Sequence, residues 1–210
     1  KATYVMKVEI LILAAGTSSR MKGRNKLLEP IRSLTLLEKV IIESINSKAN
    51  AVSVILPSEM SPLWNLSGNY PVHRLSVHTT QIGMGYSISC GIISIKSRNP
   101  DGVIIVLADM PEIESIHLDK IIQVFTRNQE KGIVRPTSFD GEPGNPVLFS
   151  WKFFDHLINL KGDKGAKRII SENQKDVQYI ELPGNVSSVD LDTREQWDAW
   201  KKPLNQLSGE

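Results

Sequence analysis

The sequence predicts an α/β protein, a three-layer αβα sandwich whose sheet is mostly parallel. Short apolar runs rich in β-branched residues alternate along the chain with longer segments that carry apolar residues at helical spacing. Two of the short runs, residues 8–14 and 102–108, are almost continuously apolar, as central parallel strands are when helices cover both faces. No repeat or linker interrupts this alternation. We therefore expect one domain over residues 1–210, with residues 1–5 a native leader or a cloning remnant.

Eight strands and four helices account for the pattern. The predicted strands cover residues 8–14, 51–56, 73–78, 102–108, 132–135, 146–149, 177–181 and 186–191. Apolar spacing predicts helices within residues 36–45, 86–96, 121–125 and 194–201, and residues 162–168 have the composition of a helix start. Residues 60–70 are rich in Pro, Gly and Ser and are expected to form a connection.

The composition excludes several classes of protein. Of the 210 residues, 40% are hydrophobic and 23% charged, which is typical of soluble globular domains. The net charge of +2 comes from interspersed charges, so neither nucleic acid nor an anionic membrane is required as a partner. No apolar run approaches the roughly 20 residues that a membrane-spanning helix needs. The single cysteine, Cys90, cannot form an intrachain disulfide, and we expect a cytoplasmic location. Metal-ligand spacing is absent from the four histidines, which are His73, His78, His117 and His156.

Residues 13–28, with the sequence LAAGTSSRMKGRNKLL, follow the first predicted strand and predict a triphosphate site. Ligands of open α/β sheets bind where strands end, and small residues there let a ligand approach the backbone. Hydroxyls, backbone N–H groups and three nearby cations would then meet the phosphates. The residues concerned are Leu13, Ala14, Ala15, Gly16, Thr17, Ser18, Ser19, Arg20, Arg24 and Lys26. The segment matches neither the P-loop nor the dinucleotide fingerprint. The alternative is an ordinary turn whose basic side chains are only solvated.

Carboxylates that could hold a divalent metal follow two predicted strands. Asp109 ends the second central strand, where a carboxylate can bind Mg²⁺ together with phosphate oxygens, although a lone aspartate there is often only a turn residue. Asp190 and Asp192 lie two residues apart in a predicted strand and would share one face. One of them can complete the metal shell with Asp109, while the other caps the last helix with Thr193. We expect these aspartates to converge at the mouth of the 14–26 loop.

Glycine-rich segments later in the chain are candidates for contacts with a base and with a second substrate. Gly83, Met84, Gly85 and Ser87 open a helix after the third strand and could meet a nucleobase, or they form a simple glycine turn. For the second substrate the candidates are Gly144, Asn145, Pro146, Asp163 and Lys167. The alternative for residues 162–168 is a capped surface helix.

These segments resemble the nucleotidyltransferases, and within them the molybdenum-cofactor cytidylyltransferases of the MobA-like (MocA-type) group. The opening L-A-A-G-x-x-x-R-M with K-L-L is followed in order by QIGMGYSISCG, ADMP, GEPGNPVLF with GDKGAK, and VDLDT. The likeness extends from Ile10 to about Trp197. Three residues depart from the usual pattern, namely Lys22, Lys167 and Arg194.

The resemblance implies a fold, an activity and residue roles. It implies the nucleotide-diphospho-sugar transferase fold, with an antiparallel strand near residues 146–149. It implies transfer of CMP from CTP to the terminal phosphate of molybdopterin cofactor, with release of pyrophosphate and dependence on Mg²⁺. Arg20 would hold the β- and γ-phosphates, Lys26 the α-phosphate, and Asp109 with Asp190 the metal. The partners would be these small molecules, with transient delivery of the product to a molybdoenzyme.

Two other functions fit the same residues. A cytidylyl- or uridylyltransferase acting on a sugar or alditol phosphate would share the first loop, and a non-catalytic molybdopterin-binding chaperone would share the cofactor site but need no metal carboxylates. The resemblance also implies a base preference, because L-A-A-G accompanies cytosine whereas guanylyl-transferring relatives have L-A-G-G. The Ala15 methyl would narrow the space beside the base.

Overall fold

The computed structural model describes residues 5–16, 25–77, 83–128, 131–163, 165–189, 191 and 193–206. Nine strands lie within them: β1 Val8–Leu13, β2 Pro30–Ile31, β3 Leu34–Thr35, β4 Ala51–Leu56, β5 His73–Ser76, β6 Gly102–Leu107, β7 Ile133–Thr137, β8 Val147–Ser150 and β9 Val177–Glu181. Seven α-helices lie there too: α1 Leu36–Ile45, α2 Pro62–Ser67, α3 Met84–Lys96, α4 Ser115–Arg127, α5 Phe154–Ile158, α6 Lys167–Glu172 and α7 Arg194–Gln206. Short 3₁₀ turns occupy Lys26–Leu28, Trp151–Phe153 and Gln174–Asp176.

One seven-stranded sheet organises the described chain, in the order β5-β4-β1-β6-β8-β7-β9, and β2 pairs with β3 apart from it. Neighbours pair in parallel except at β8, which is antiparallel to both β6 and β7. The mostly parallel α/β sheet is confirmed, and so is the antiparallel strand that the family resemblance implies near residues 146–149.

Helices cover both faces of this sheet because the side chains of each central strand point alternately to opposite sides. In β1, Ile10 and Ile12 belong to one apolar cluster and Leu11 to the other. The first cluster is closed by α1, α2, α4 and α7, and the second by α3, α5 and α6. The three predicted layers are therefore present. Among the described helices, none is both long enough and apolar enough to cross a bilayer.

Three segments differ from the sequence prediction. The predicted connection at residues 60–70 contains α2, because Ser61 caps Leu63 and Pro62 occupies the first helical turn, where proline is tolerated. The strand predicted at residues 186–191 is wrong for the residues described there. They form successive turns in which the N–H groups of Ser188 and Val189 both donate to the carbonyl of Asn185. Val186, Val189 and Leu191 suggested a strand because they are apolar, and they pack against the first cluster from these turns.

The segment predicted as a helix start at residues 162–168 is mostly a turn, and α6 begins only at Lys167. Gly162 and Gly165 have φ of 64° and 53°, in the left-handed region that glycine adopts without strain. Asp163 therefore lies in a glycine-flanked turn rather than in the first turn of a helix.

His117, in the first turn of α4, is buried, and its Nδ1 accepts a hydrogen bond from the N–H of Glu114 at 3.1 Å. Burial lowers the pKa of His117 below its ordinary 6.5, because the charged ring would lose its hydration. The carboxylates of Glu114 and Glu43 oppose this effect more weakly. Burial therefore favours the neutral form of this imidazole in the native protein.

We expect the free energy of unfolding to fall as the pH drops below about 6.5, by up to about 1.4 kcal/mol per pH unit. The reason is that His117 of the unfolded chain is protonated in this range, whereas His117 of the native protein, with its lower pKa, is protonated less. Above that pH both states are neutral and His117 contributes no slope. His117→Gln keeps an acceptor for Glu114 but does not titrate, so its stability should fall less over the same range. Urea unfolding of both proteins between about pH 7.5 and pH 5.5 measures this difference. Parallel curves for the two proteins would contradict it.

Candidate active site

The carboxyl ends of β1 and β6 lie side by side in the centre of the sheet. Leu13 is in register with Leu107, and the N–H of Ala108 donates to the carbonyl of Leu13 at 3.2 Å. The residues that follow each strand, Gly16 after β1 and Asp109 after β6, therefore emerge at the same edge. This is the edge at which open parallel sheets bind ligands.

Lys26 and Asp109 form an ion pair at this edge. The Nζ of Lys26 lies 2.5 Å from Oδ2 of Asp109, and the two side chains are only 13% and 19% exposed. Lys26 is held in place by the short turn Lys26–Leu28, in which buried Leu27 enters the core and donates its N–H to the Asn25 side chain. A charge-assisted bond of this length in a half-buried site is stronger than a solvated surface pair.

The second oxygen of Asp109 is buried and has no hydrogen-bond partner among the described residues. A buried carboxylate oxygen left in this state is costly, and such atoms are normally satisfied by protein, water or an ion. Oxygen donors of this kind are the ligands that Mg²⁺ and Mn²⁺ prefer. The chemistry of Asp109 therefore fits a divalent metal. No group of three or more His, Cys, Asp or Glu side chains gathers as a metal centre within the described ranges.

The small residues after β1 differ in what surrounds them. Ala14 is buried in the core, and its N–H donates to the carbonyl of Ile55 at 2.9 Å. Ala15 is half-buried against the second apolar cluster. Gly16 is exposed, and a Cβ built on it would meet no described atom within 4 Å. Gly16 thus leaves its backbone open to a ligand, whereas Ala14 serves packing.

The glycines at the start of α3 pack tightly against the turn around Gly162. The N–H of Gly85 donates to the carbonyl of Gly162 at 2.8 Å. A Cβ on Gly83 would lie 2.5 Å from the Gly162 backbone, and one on Gly85 would lie 2.9 Å from the Gly162 oxygen. Gly83 also has φ of 132°, and the Asp163 carboxylate lies beside it. Two segments that the sequence assigns to different substrates therefore form one packed unit.

Neighbouring side chains of this unit are only partly available to a ligand. Ser87 is buried, and both its hydroxyl and its N–H are directed at the Gly83 carbonyl, at 3.4 and 3.2 Å. Its oxygen keeps acceptor capacity, but its donors are used within α3. Met84 is 43% exposed, and Asp163 and Lys167 are exposed.

Residues 182–189 and 191, which we call the strap, connect the proposed acceptor segment with Asp109. The strap begins where Leu182 donates to the Thr137 carbonyl at 3.0 Å. Further along it, the carbonyl of Ser187 accepts from the N–H of Asn145 at 2.8 Å. It ends where the N–H of Leu191 donates to the carbonyl of Asp109 at 3.3 Å. The strap therefore crosses the carboxyl edge of the sheet from β7 to β6.

Gly144 packs closely against this strap. A Cβ on Gly144 would lie 2.1 Å from the Ser187 carbonyl oxygen, so this face of Gly144 touches the strap rather than a ligand. The peptide bond between Asn145 and Pro146 is cis, and Pro146 is buried. Asn145 is half-buried, and its side-chain amide makes no hydrogen bond to the described residues, which leaves it as the polar group of this segment.

Several predicted site residues lie outside the described residues: Thr17, Ser18, Ser19, Arg20, Arg24, Asp190 and Asp192. The sequence analysis missed the strap itself, although Gly184 before a polar run was the available signal against a strand there. In the structure Gly184 has a φ of 55°. It also missed Ser187, whose hydroxyl is buried without a described partner and whose carbonyl accepts from the N–H of Asn145.

The mostly parallel sheet with these flanking helices is the fold of solved nucleotidyltransferases of the nucleotide-diphospho-sugar transferase type. A family model, the MobA-like NTP transferase domain, matches residues 10–177, and the chain belongs to this family. It is therefore a nucleotidyltransferase, which sets aside the non-catalytic alternative.

Individual relatives agree over nearly the whole chain. Purine catabolism protein PucB of Bacillus subtilis (strain 168) is 29% identical over 203 residues, covering 93% of this chain and 96% of PucB. Rv0371c of Mycobacterium tuberculosis H37Rv superposes with a TM-score of 0.82 at 24% identity, covering 94% of this chain and 98% of Rv0371c. A second Rv0371c structure is a complex with manganese, at a TM-score of 0.73 and 22% identity, covering 92% and 97%. The nucleotidyl transferase Mth528 of Methanothermobacter gives a TM-score of 0.78 at 15% identity, covering 96% and 99%.

The contact between α3 and Gly162 can be tested with Gly85→Ala. Alanine normally stabilises a helix relative to glycine by about 0.5–1 kcal/mol, but here its methyl would collide with backbone atoms that cannot rotate away. We expect a loss of about 1–3 kcal/mol in the free energy of unfolding. Gly16→Ala is the matched control, because its methyl enters open space and should change stability by no more than about 0.5 kcal/mol. Equal or higher stability of Gly85→Ala, measured by chemical denaturation, would show that this contact is not tight.

Proposed function

We propose that the protein transfers CMP from CTP to the terminal phosphate of molybdopterin cofactor and releases pyrophosphate. The observation that carries this proposal is the Lys26–Asp109 pair, with its unpartnered Asp109 oxygen, beside the open backbone of Gly16. A cation, a carboxylate oxygen suited to a metal and open backbone at one sheet edge suit a triphosphate. Membership of the MobA-like family supports the nucleotide and the acceptor class.

In this proposal the residues act by charge and position. An oxygen of the acceptor phosphate attacks the α-phosphorus of CTP, the bond from that phosphorus to the bridging oxygen breaks, and pyrophosphate leaves in line. Lys26 holds the α-phosphate and Arg20 the β- and γ-phosphates, so that both cations offset charge as it develops. The attacking phosphate is already ionised at neutral pH, so no side chain has to remove a proton. His117 has no part in this step, because its ring accepts the N–H of Glu114 at the start of α4.

The proposed metal is Mg²⁺, held by Asp109 and by Asp190, with Asp192 as the alternative second ligand. When bound, it would neutralise negative charge on the α-phosphate and on the leaving pyrophosphate. The Leu191 contact with the Asp109 carbonyl supports this pairing, because Leu191 lies between the two later aspartates in sequence. The manganese complex of Rv0371c, a protein of the same fold, supports a divalent ion in general.

The acceptor would approach from the side of the strap. Asn145 offers an unused amide, and Asp163 and Lys167 are exposed around the start of α6. Gly144 and Pro146 would shape this side by packing, and Gly83, Met84 and Gly85 would separate it from the base. We propose that the product passes to a molybdoenzyme.

The proposed reaction is tested by pyrophosphate release with four nucleoside triphosphates, each offered molybdopterin cofactor and a panel of sugar and alditol phosphates. We expect release only with CTP and molybdopterin cofactor together, in the presence of Mg²⁺. Release with a sugar or alditol phosphate instead would replace the acceptor and keep the nucleotidyltransferase.

Asp109→Ala is expected to reduce turnover by about 10²–10³-fold, because it removes a group that stabilises charge in the transition state. The fold should survive, since the replaced carboxylate is paired at one oxygen only. Pyrophosphate release at saturating Mg²⁺ measures the loss, and circular dichroism checks the fold. Asp155→Ala is the control, because Asp155 pairs with Lys96 on the exposed surface. Near-normal turnover of Asp109→Ala would remove Asp109 from the site.

The base preference is tested at Ala15. A methyl that crowds the base is worth roughly 1–3 kcal/mol, so we expect kcat/KM for CTP to exceed that for GTP by at least about tenfold. Ala15→Gly should relax this preference by removing the methyl. The ratio of kcat/KM values in both proteins, measured with the nucleotides in competition, gives the result. Equal use of GTP by the parent protein would exclude Ala15 as the determinant.

A further inference from the structure

Lys26 places a positive charge on the very carboxylate that the proposed metal would need. We propose that this lysine fills the cation position at Asp109 while the site is empty, so that the protein rejects free divalent ions and takes up the metal only as its complex with the triphosphate. This inference rests on the proposed function, because it assigns Asp109 to the metal. It narrows the substrate from a nucleotide and a metal bound independently to a metal–nucleotide complex.

The argument begins with the charges at the described site. Asp109 carries one negative charge, and the ammonium group 2.5 Å from its Oδ2 already balances that charge. A divalent ion joining the buried Oδ1 would lie close to this ammonium group, since both oxygens belong to one carboxylate. With the side chains only 13% and 19% exposed, water screens the repulsion poorly. Free metal is therefore disfavoured at Asp109 while Lys26 stays in place.

A triphosphate removes this conflict because it brings several negative charges with the metal. Its oxygens can accept the Lys26 ammonium, which frees Asp109 Oδ2 and leaves the carboxylate to the metal. The lysine head group can make this move alone, because it sits on a flexible four-carbon stem. The backbone beneath it is anchored by buried Leu27, whose N–H donates to Asn25, and by the N–H of Glu29, which donates to the Lys26 carbonyl. The pair is thus exchanged for two new pairs without rebuilding the loop.

Binding of Mn²⁺ in the absence of nucleotide tests this inference without measuring turnover. Mn²⁺ is a paramagnetic substitute for Mg²⁺, and its free form is followed by electron paramagnetic resonance. We expect Lys26→Met, which keeps most of the length of the side chain but not its charge, to bind Mn²⁺ alone at least about tenfold more tightly than the parent protein, the low end for a charged hydrogen bond. Lys26→Arg retains the cation and should bind Mn²⁺ as weakly as the parent protein.

Three controls make the result specific. Lys96→Met breaks another lysine–aspartate pair, Lys96 with Asp155 at 2.7 Å, at the far end of α3, and should leave Mn²⁺ affinity unchanged. Adding Asp109→Asn to Lys26→Met should abolish the gain, because the new affinity depends on that carboxylate. Lys26→Gln is a second neutral variant and should repeat the gain if the methionine variant unfolds.

The outcomes separate this inference from the proposed function. If the parent protein binds Mn²⁺ alone as tightly as Lys26→Met does, while CTP still supports metal-dependent turnover, the inference is overturned and the function stands. If the parent protein does not bind Mn²⁺ even with CTP, both the metal role of Asp109 and the inference are overturned. The inference is supported if the neutral variants bind Mn²⁺ alone more tightly than the parent protein does, and if all of them bind it equally tightly once CTP is added.

Discussion

The parallel pairing of β1 with β6 is the constraint on which the rest of the site depends. It places Leu13 opposite Leu107, so that the chain leaves both strands at the same edge, with Gly16 on one side and Asp109 on the other. The pairing is fixed by burial on both faces, because a slip of one residue would exchange Ile10 and Ile12 with Leu11 between the two apolar clusters. The register of two hydrophobic strands therefore sets the distance that Lys26 must bridge.

Glycine determines how the remaining segments reach this edge. Gly83 and Gly85 let the start of α3 touch the turn at Gly162, and Gly144 lets the proposed acceptor segment touch the strap at Ser187. In both places another backbone occupies the space where a side chain would begin. These glycines thus serve contacts between segments, whereas a Cβ built on Gly16 would meet no described atom.

The sequence indicated much of the fold because the strands that build it are strongly apolar. The bounds predicted for β4 and β9 match the structure, and β1 and β6 are each one residue shorter than predicted. The antiparallel β8 came from the family resemblance, since four apolar residues carry no sign of direction. The strand predicted at residues 186–191 was wrong because the apolar side chains of this segment pack into the core from turns.

For the site, the rule that ligands bind at the carboxyl ends of parallel strands predicted that Asp109 and the first loop lie close together. That rule could not show which glycines pack against the backbone of another segment. That depends on contacts between residues far apart in sequence, such as Gly85 with Gly162 and Gly144 with Ser187. Nor could residue spacing show that Lys26 and Asp109 are paired at 2.5 Å, since 83 positions separate them.

The reversed direction of β8 reduces the length of chain that is needed to place residues near both proposed substrates. Because β8 runs against β6, its first residues rather than its last ones stand at the carboxyl edge, and Asn145 enters the sheet beside the end of β6. Had β8 run parallel to its neighbours, the same residues would open at the opposite edge, about the length of a strand away. A helical crossover would then be needed to bring them back. Inverting one strand thus lets a single rim of a 210-residue chain face both the donor and the acceptor proposed for it.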